Sequence, residues 1–239
     1  MRVFIYTLTR DRLEYTQRSF ESLRQNAGYP YEHIVVDNGS TDGTVDWLAE
    51  QIADGSVSPW SIFLHRNEGI SAASNRVLEF IADHPLLRQP DLIVKMDNDC
   101  LIKTPDLLRR VVDCYEELAK KPLGPTFLLS PVVIGINNQP AVGRLVGAGT
   151  YTIKLTAIVG GLFHVVPAAK YLEFRYPSNL PLARGQDDAI CRWWKEKGGE
   201  VGYIDPLIVE HMDGTDAQAE TYPEYFKRKY LEEKQLPPA

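Results

Sequence analysis

Four apolar, strand-like runs, each followed by a segment with helical spacing, fill about the first 120 residues, and this alternation limits the fold more than any other feature. Val3–Leu8 is rich in β-branched and aromatic residues and predicts a buried first strand. Leu13, Gln17, Phe20 and Leu23 predict a helix over Leu13–Gln25. His33–Val36 predicts a second strand, ended by Asp37-Asn38-Gly39-Ser40, and Val45, Leu48 and Ile52 mark the next helix. Ile62–Leu64 is a third short strand, followed by helical spacing at Ala73, Val77 and Phe80. Leu92–Met96 is the fourth; Leu108, Val111, Val112, Tyr115 and Leu118 mark the helix after it, with Pro105 in its first turn. Such alternation calls for a parallel sheet with helices on both faces. From Thr126 to Val166 the pattern changes to short, Gly-punctuated apolar runs, which predict extra strands and loops. A helix returns near Asp187–Lys197, a strand near Tyr203–Val209, and a charged tail begins at Tyr222. The expectation is one α/β domain over residues 1–239: a mostly parallel central sheet flanked by helices, with a smaller mixed sheet in the second half.

Charge and cysteine usage remove some functions. A formal net charge of −6 supplies no basic face of the kind that binds nucleic acid by releasing counterions. Cys100, Cys114 and Cys191 form no CxxC pair, which argues against a disulfide framework and for a reducing compartment. Val3–Leu8 is too short for the apolar core of a signal peptide, and no run approaches the ~20 apolar residues of a membrane span. A cytoplasmic protein, at most peripheral to a membrane, is expected.

In open α/β sheets ligands bind beyond the carboxyl ends of the strands, and polar residues collect there. Thr7, Thr9 and Arg10 close the first strand. Asp37 to Asp42 follow the second, Arg66, Asn67, Glu68 and Gly69 the third, and Asp97-Asn98-Asp99 the fourth. Asp37 can accept hydrogen bonds from a ribose or a pyrimidine imide, or can simply cap an Asx-turn. Asp97 and Asp99 are two apart and point the same way. With no basic residue between them they repel, which favours a divalent cation; oxygen ligands suit Mg²⁺ or Mn²⁺. His211 follows the apolar run Leu207-Ile208-Val209 and can ligate Mn²⁺, although a lone histidine is more often only hydrogen-bonded.

These residues, in order, resemble the family 2 glycosyltransferases and, more broadly, glycosyltransferases of the GT-A fold. His33–Thr44 (HIVVDNGSTDGT) is similar to the family's second-strand signature, Asn67–Asn75 (NEGISAASN) to its N-x-G segment, and Met96–Asp99 to its DxD position. The resemblance runs from Val3 to about Gly214. It implies a nucleotide-sugar-binding half over about 1–100, an acceptor and catalytic half over about 101–215, and a tail over 216–239. It implies transfer of a sugar from a nucleotide donor with inversion at the anomeric carbon. UDP-sugars are favoured, with GDP- and dTDP-sugars as alternatives, and the acceptor is a glycan, a lipid-linked molecule or a protein. The implied donor contacts are Thr7, Thr9, Arg10, Asp37, Asn67, Gly69, Asn75, Asp97, Asn98 and Gly161. Asp99 would coordinate the metal directly, Asp97 would lie near the ribose or a metal-bound water, and His211 would be a ligand in an H-x-x-G context.

Inverting transfer needs a base for the acceptor hydroxyl, and a carboxylate at a helix start facing the donor suits that work. Gly185–Cys191 (GQDDAIC) resembles the family segment that carries Glu-Asp. Alignment through Ile190 and Cys191 puts Asp187 at the base, with Asp188 in reserve, and Gln186 where the family has a glutamate that binds acceptor hydroxyls. Asp187 and Asp188 could instead only complement the helix dipole. Gly160-Gly161 permits close backbone approach to a ligand. Trp193 can stack on an acceptor sugar, although core packing is the commoner fate of such a residue. The tail, with Tyr225, Phe226, Lys227, Arg228, Lys229 and Tyr230, is read as a lid, a homodimer contact or a weak membrane-surface helix, with a solvated terminal helix as the default.

Other classes fit less well. A haloacid-dehalogenase-type phosphatase has its DxD near the chain start and Thr or Val two residues after the second aspartate, where this chain has Leu101. A nucleotidyltransferase would carry a Gly-rich basic loop after the first strand, and Thr7–Arg12 has no glycine. A catalytically degenerate protein that only holds a nucleotide or glycan stays open as the alternative, with Gln186 as its support.

Overall fold

The computed structural model describes residues 1–84, 88–121, 126–136, 141–181, 184–213 and 215–228. Its first part repeats strand and helix: β1 (Val3–Thr9), α1 (Leu13–Asn26), β2 (Tyr31–Asp37), α2 (Thr44–Ala53), β3 (Ile62–Phe63), α3 (Gly69–Asp83) and β4 (Leu92–Met96). A short β5 (Cys100–Ile102) and α4 (Leu107–Ala119) follow. The strands β6 (Phe127–Ile134), β7 (Val142–Ala148), β8 (Tyr151–Thr156) and β9 (Phe163–Pro167) come next. Then come α5 (Ala168–Tyr171), α6 (Gln186–Glu196), β10 (Glu200–His211) and α7 (Thr215–Thr221). Helix α4 starts at Leu107 after Asp106 at its N-cap, so Pro105 lies just before the helix and not in its first turn.

The helices form because each has one apolar stripe to bury. In α4, Leu107, Leu108, Val111, Val112, Tyr115 and Leu118 are all buried. β1 (VFIYTLT) and β4 (LIVKM) are buried along nearly their whole length, as strands covered on both faces must be. The Tyr6, Tyr171 and Tyr176 hydroxyls satisfy one another in this core, at 2.7 and 2.8 Å.

The sheet departs from the expected arrangement. It is one continuous mixed sheet, in the order β3-β2-β1-β4-β9-β6-β10-β8-β7, with β5 added on β10. β1, β2, β3 and β4 are parallel, but β9 lies antiparallel between β4 and β6, and β8 lies antiparallel between β10 and β7. The second-half strands β9 and β8 run against their neighbours, while β6 and β10 are parallel to each other. Among the described residues all ten strands join in this one sheet, with no separate second sheet. Among the described residues no helix is long and apolar enough to cross a membrane.

Thr7 is used inside this core. Its Oγ1 meets Nε2 of His33 on the adjacent strand at 3.0 Å, and both residues are buried. Burial, with Arg24 adding to it, pushes the His33 pKa down from 6.5 to about 3. A depressed folded pKa means that the unfolded chain takes up a proton first. His33 therefore contributes stability in full above pH 6.5, which is lost as pH falls toward 3. Across pH 6 to 4 this single site should cost ~1.4 kcal/mol per pH unit, or roughly 3–5 °C in Tm for a chain of this size. Thermal melts of wild type and His33→Leu over that range check it: the variant's Tm should fall less steeply, and parallel curves would remove His33 as the acid-sensitive group.

Candidate active site

The carboxyl end of β4 is the floor of a cleft of about 280 Å³. Lys95 is an ammonium inside an apolar strand, with a side chain only 3% exposed. It survives there because Asp97 accepts from its Nζ at 2.5 Å and the Gly161 carbonyl at 2.6 Å. Burial alone would depress its pKa, but Asp97 first, then Asp187 and Tyr6, hold it above the ordinary lysine value. The Asp97 N–H donates to the Leu162 carbonyl at 2.9 Å, so the loop before β9 is tied to the end of β4.

Asp99 has its own cation. Arg12, between β1 and α1, donates from Nη1 to Asp99 Oδ2 at 2.9 Å and from Nη2 to Asn98 Oδ1 at 2.8 Å. Burial would raise the Asp99 carboxyl, yet the guanidinium beside it, then His211 and Gln218, hold it below the usual carboxylate range. Each aspartate thus meets a buried cation, Lys95 for Asp97 and Arg12 for Asp99, and both cations were missed. Lys95 had a visible signal, a lysine interrupting an apolar strand two residues before Asp97, on the same face. Arg12 lay in the loop after the first strand.

Pairing places His211. β5 runs antiparallel to the end of β10 with Cys100 opposite His211, which sets the imidazole beside Asp99. His211 Nδ1 lies 2.9 Å from the Asp213 carbonyl. A carbonyl only accepts, so Nδ1 carries a proton, and Nε2 is the nitrogen turned toward Asp99 Oδ2, 3.8 Å away. Among the described residues no three His, Cys, Asp or Glu side chains group as a metal cluster. His211 Nε2 beside a carboxylate oxygen does fit a divalent cation held by two protein groups, with water and phosphate oxygens completing its ligands.

Gln186 and Asp187 begin α6, whose N-cap Gly185 has φ +84°. Asp187 accepts from the Gly161 N–H at 2.8 Å and lines the cleft. Asp188 points away, exposed and paired with Arg192 one turn along. Gln186 is buried and donates to the Pro181 carbonyl at 2.8 Å and to Ser71 at 3.3 Å, at the cleft edge. Asn38 donates to Asn67 at 2.8 Å, which knits the loops after β2 and β3 into the opposite wall together with Thr9 and Arg10.

Of the expected site residues, the cleft gathers Thr9, Arg10, Asn67, Asp97, Asn98, Asp99, Gly161, Gln186, Asp187 and His211. It does not gather the others. Thr7 faces His33. Asp37 accepts from Thr9 and from the Ser40 backbone, both at 2.9 Å, and so builds the turn. Gly69 opens α3, its N–H donating to Asn67 Oδ1 at 3.0 Å. Asn75 clamps both backbone groups of Tyr176, at 2.8 and 2.9 Å. Trp193 packs against Phe174 at 5.3 Å, the core role.

The described part of the tail is helical and largely exposed, but it turns one face into the cleft. Gln218 is buried and takes part in the Arg12–Asp99 contact, accepting from Arg12 at 2.9 Å and donating to Asp99 at 3.2 Å. The Tyr225 ring lies 4.8 Å from the Arg12 guanidinium, and Arg228 donates to Asp11 at 2.8 Å. The charged groups lining the cleft are Arg10, Arg12, Lys95 and Arg184 against Asp97, Asp99 and Asp187. Gly214 and residues 229–239, with Lys229 and Tyr230, lie outside the described residues.

Residues 3–121 match the model of glycosyl transferase family 2. No curated protein sequence matches the chain. Solved structures similar in fold include GalNAc-T7 with UDP, GalNAc and Mn²⁺, at TM-score 0.65 and 14% identity, covering 88% of this chain and 43% of that one. Another is TarS of S. aureus, residues 1–349, at 0.66 and 14%, covering 97% and 65%. A third is the mannosyltransferase PcManGT of Pyrobaculum calidifontis in complex with GDP-Man and Mn²⁺, at 0.62 and 15%, covering 100% and 65%. The chain spans less than two thirds of each of these proteins. Residues 3–121, from β1 through α4, thus belong to glycosyl transferase family 2, and the chain shares its fold with these glycosyltransferase structures.

Proposed function

We propose that the cleft is the active site of an inverting glycosyltransferase that moves a sugar from a nucleoside diphosphate sugar to an acceptor hydroxyl. The observation that carries this reading is the meeting of Asp99 and His211 with Asp187 in one cleft, although they come from three separate parts of the chain. The diphosphate belongs at the Asp97–Asp99 end, where Arg12 and Lys95 supply positive charge, and the sugar lies toward Gly161. Asp187, fixed by the Gly161 N–H, takes the acceptor hydroxyl proton as that oxygen bonds to the anomeric carbon. The bond from that carbon to the diphosphate oxygen breaks, and its electron pair leaves with the nucleoside diphosphate. Asp99 and His211 would hold Mn²⁺ or Mg²⁺, with Asp97 alongside, and the ion would neutralise charge on the departing group. Asn38, Asn67 and Arg10 form the wall facing the nucleoside. UDP is the favoured nucleotide, since GalNAc-T7 was crystallised with UDP and TarS with UDP-GlcNAc; GDP is second, from PcManGT with GDP-Man.

A thermal-shift panel of UDP, GDP, CDP and dTDP, each with and without Mn²⁺, tests this. A nucleotide at about 100 times its Kd adds ~2.7 kcal/mol, or roughly 5–11 °C in a domain of this size. One nucleotide should give that shift only with the metal, and Asp99→Ala should abolish it. No shift with any nucleotide would overturn the donor site.

A further inference from the structure

We propose that Arg12 is the built-in counter-cation of Asp99, which a divalent metal ion must displace, and that this exchange makes metal binding depend on a nucleoside diphosphate. The proposal rests on the donor-site reading above and goes beyond it by assigning a role to Arg12.

The geometry sets the competition. Asp99 Oδ2, the oxygen that faces His211 Nε2, already accepts from Arg12 at 2.9 Å and from Gln218 at 3.2 Å. A cation that uses this oxygen takes it from the guanidinium. Arg12 is placed there at a conformational cost: Asp11 and Arg12 are consecutive non-glycine residues at φ +49° and +59°, a backbone that L side chains adopt rarely. The group also has hydrogen-bonding capacity to spare, since its buried Nε meets no partner.

Charge decides what happens after displacement. Asp97 is already paired with Lys95 and Asp99 with Arg12, so a divalent ion alone meets carboxylates whose charge is neutralised. It also leaves Arg12 buried without its carboxylate, an expensive state for a charge so little exposed. A diphosphate removes both penalties. Its oxygens complete the metal's coordination, and the released fork can grip them by paired hydrogen bonds, the geometry that guanidinium offers and ammonium does not. Tyr225, stacked on the guanidinium, keeps it in the cleft during the exchange.

Calorimetric titration of Mn²⁺ into the full chain, with and without saturating UDP or GDP, tests the exchange. Arg12→Gln should bind Mn²⁺ alone about tenfold more tightly than wild type, and the gain in Mn²⁺ affinity from the nucleotide should shrink by a similar factor. Arg12→Lys keeps the charge, so its affinity for Mn²⁺ alone should stay near the wild-type value. Arg12→Asn, a residue that tolerates left-handed backbone, replaces Arg12→Gln if that variant does not fold. Unchanged or weaker Mn²⁺ binding in the neutral variants overturns the proposal, as does equal tightening in Arg12→Lys. Wild-type protein that binds no nucleotide with Mn²⁺ overturns the donor-site reading and this proposal together; normal wild-type binding with no effect at position 12 overturns the exchange alone.

Discussion

Asp187→Asn should lower kcat by about 10²–10⁴-fold, the usual contribution of a positioned general base, while the thermal shift from nucleotide and Mn²⁺ stays. The amide oxygen of asparagine can still accept from the Gly161 N–H, so the helix start keeps its tether. What is lost is an oxygen that can hold the acceptor proton. Asp188→Asn is the matched control: that carboxylate is exposed and held by Arg192, and its removal should leave kcat within about a factor of two, as for most surface changes. Donor turnover with each variant checks both. Full activity in Asp187→Asn would move the base elsewhere. Equal loss in Asp188→Asn would mean that the start of α6 turns before reaction.

The first four strands and their helices could be read from the sequence because each follows one local rule: period two or near-continuous burial for strands, period 3.6 for helices. β4 was bounded correctly at Leu92–Met96, since the apolar run stops at Asp97. The second half could not be read this way. The place of β9 between β4 and β6 depends on pairing across about 70 residues of chain, and nothing in FHVVP encodes its neighbours. The cleft divides along the same line. Asp97, Asp99 and Asp187, which line it, were singled out in the sequence because motifs carry them. Arg12 and Gln218 were not, because their roles depend on which carboxylate the folded chain brings to them, and Gln218 in particular on a tail that packs back over β4. Thr7 and Asn75 show the converse: a polar side chain near a strand end can serve the scaffold, and the partners it takes here, His33 and Tyr176, are set by the fold.

Gly161→Ala should cost activity nearly as heavily as loss of the base itself, without touching a reacting group. A Cβ built on Gly161 would lie 2.2 Å from Asp187 Oδ1 and 2.9 Å from its Cγ. The backbone there cannot easily yield: the Gly161 N–H holds Asp187 at 2.8 Å, and its carbonyl accepts from Lys95 at 2.6 Å. The carboxylate must therefore move, by something like 1 Å, and misplacement on that scale can reduce turnover by ~10²-fold. Gly160→Ala is the internal comparison, since nothing lies within 4 Å of the Cβ it would add. That variant should turn over donor normally. If Gly161 acts only by giving Asp187 room, its effect disappears once the base is gone. The double variant Gly161→Ala/Asp187→Asn should then be no slower than Asp187→Asn alone, the non-additivity expected of residues that act as a unit. Additive losses would show that Gly161 makes its own contact with the donor sugar, and the close approach of its backbone would then belong to the substrate as well as to the base.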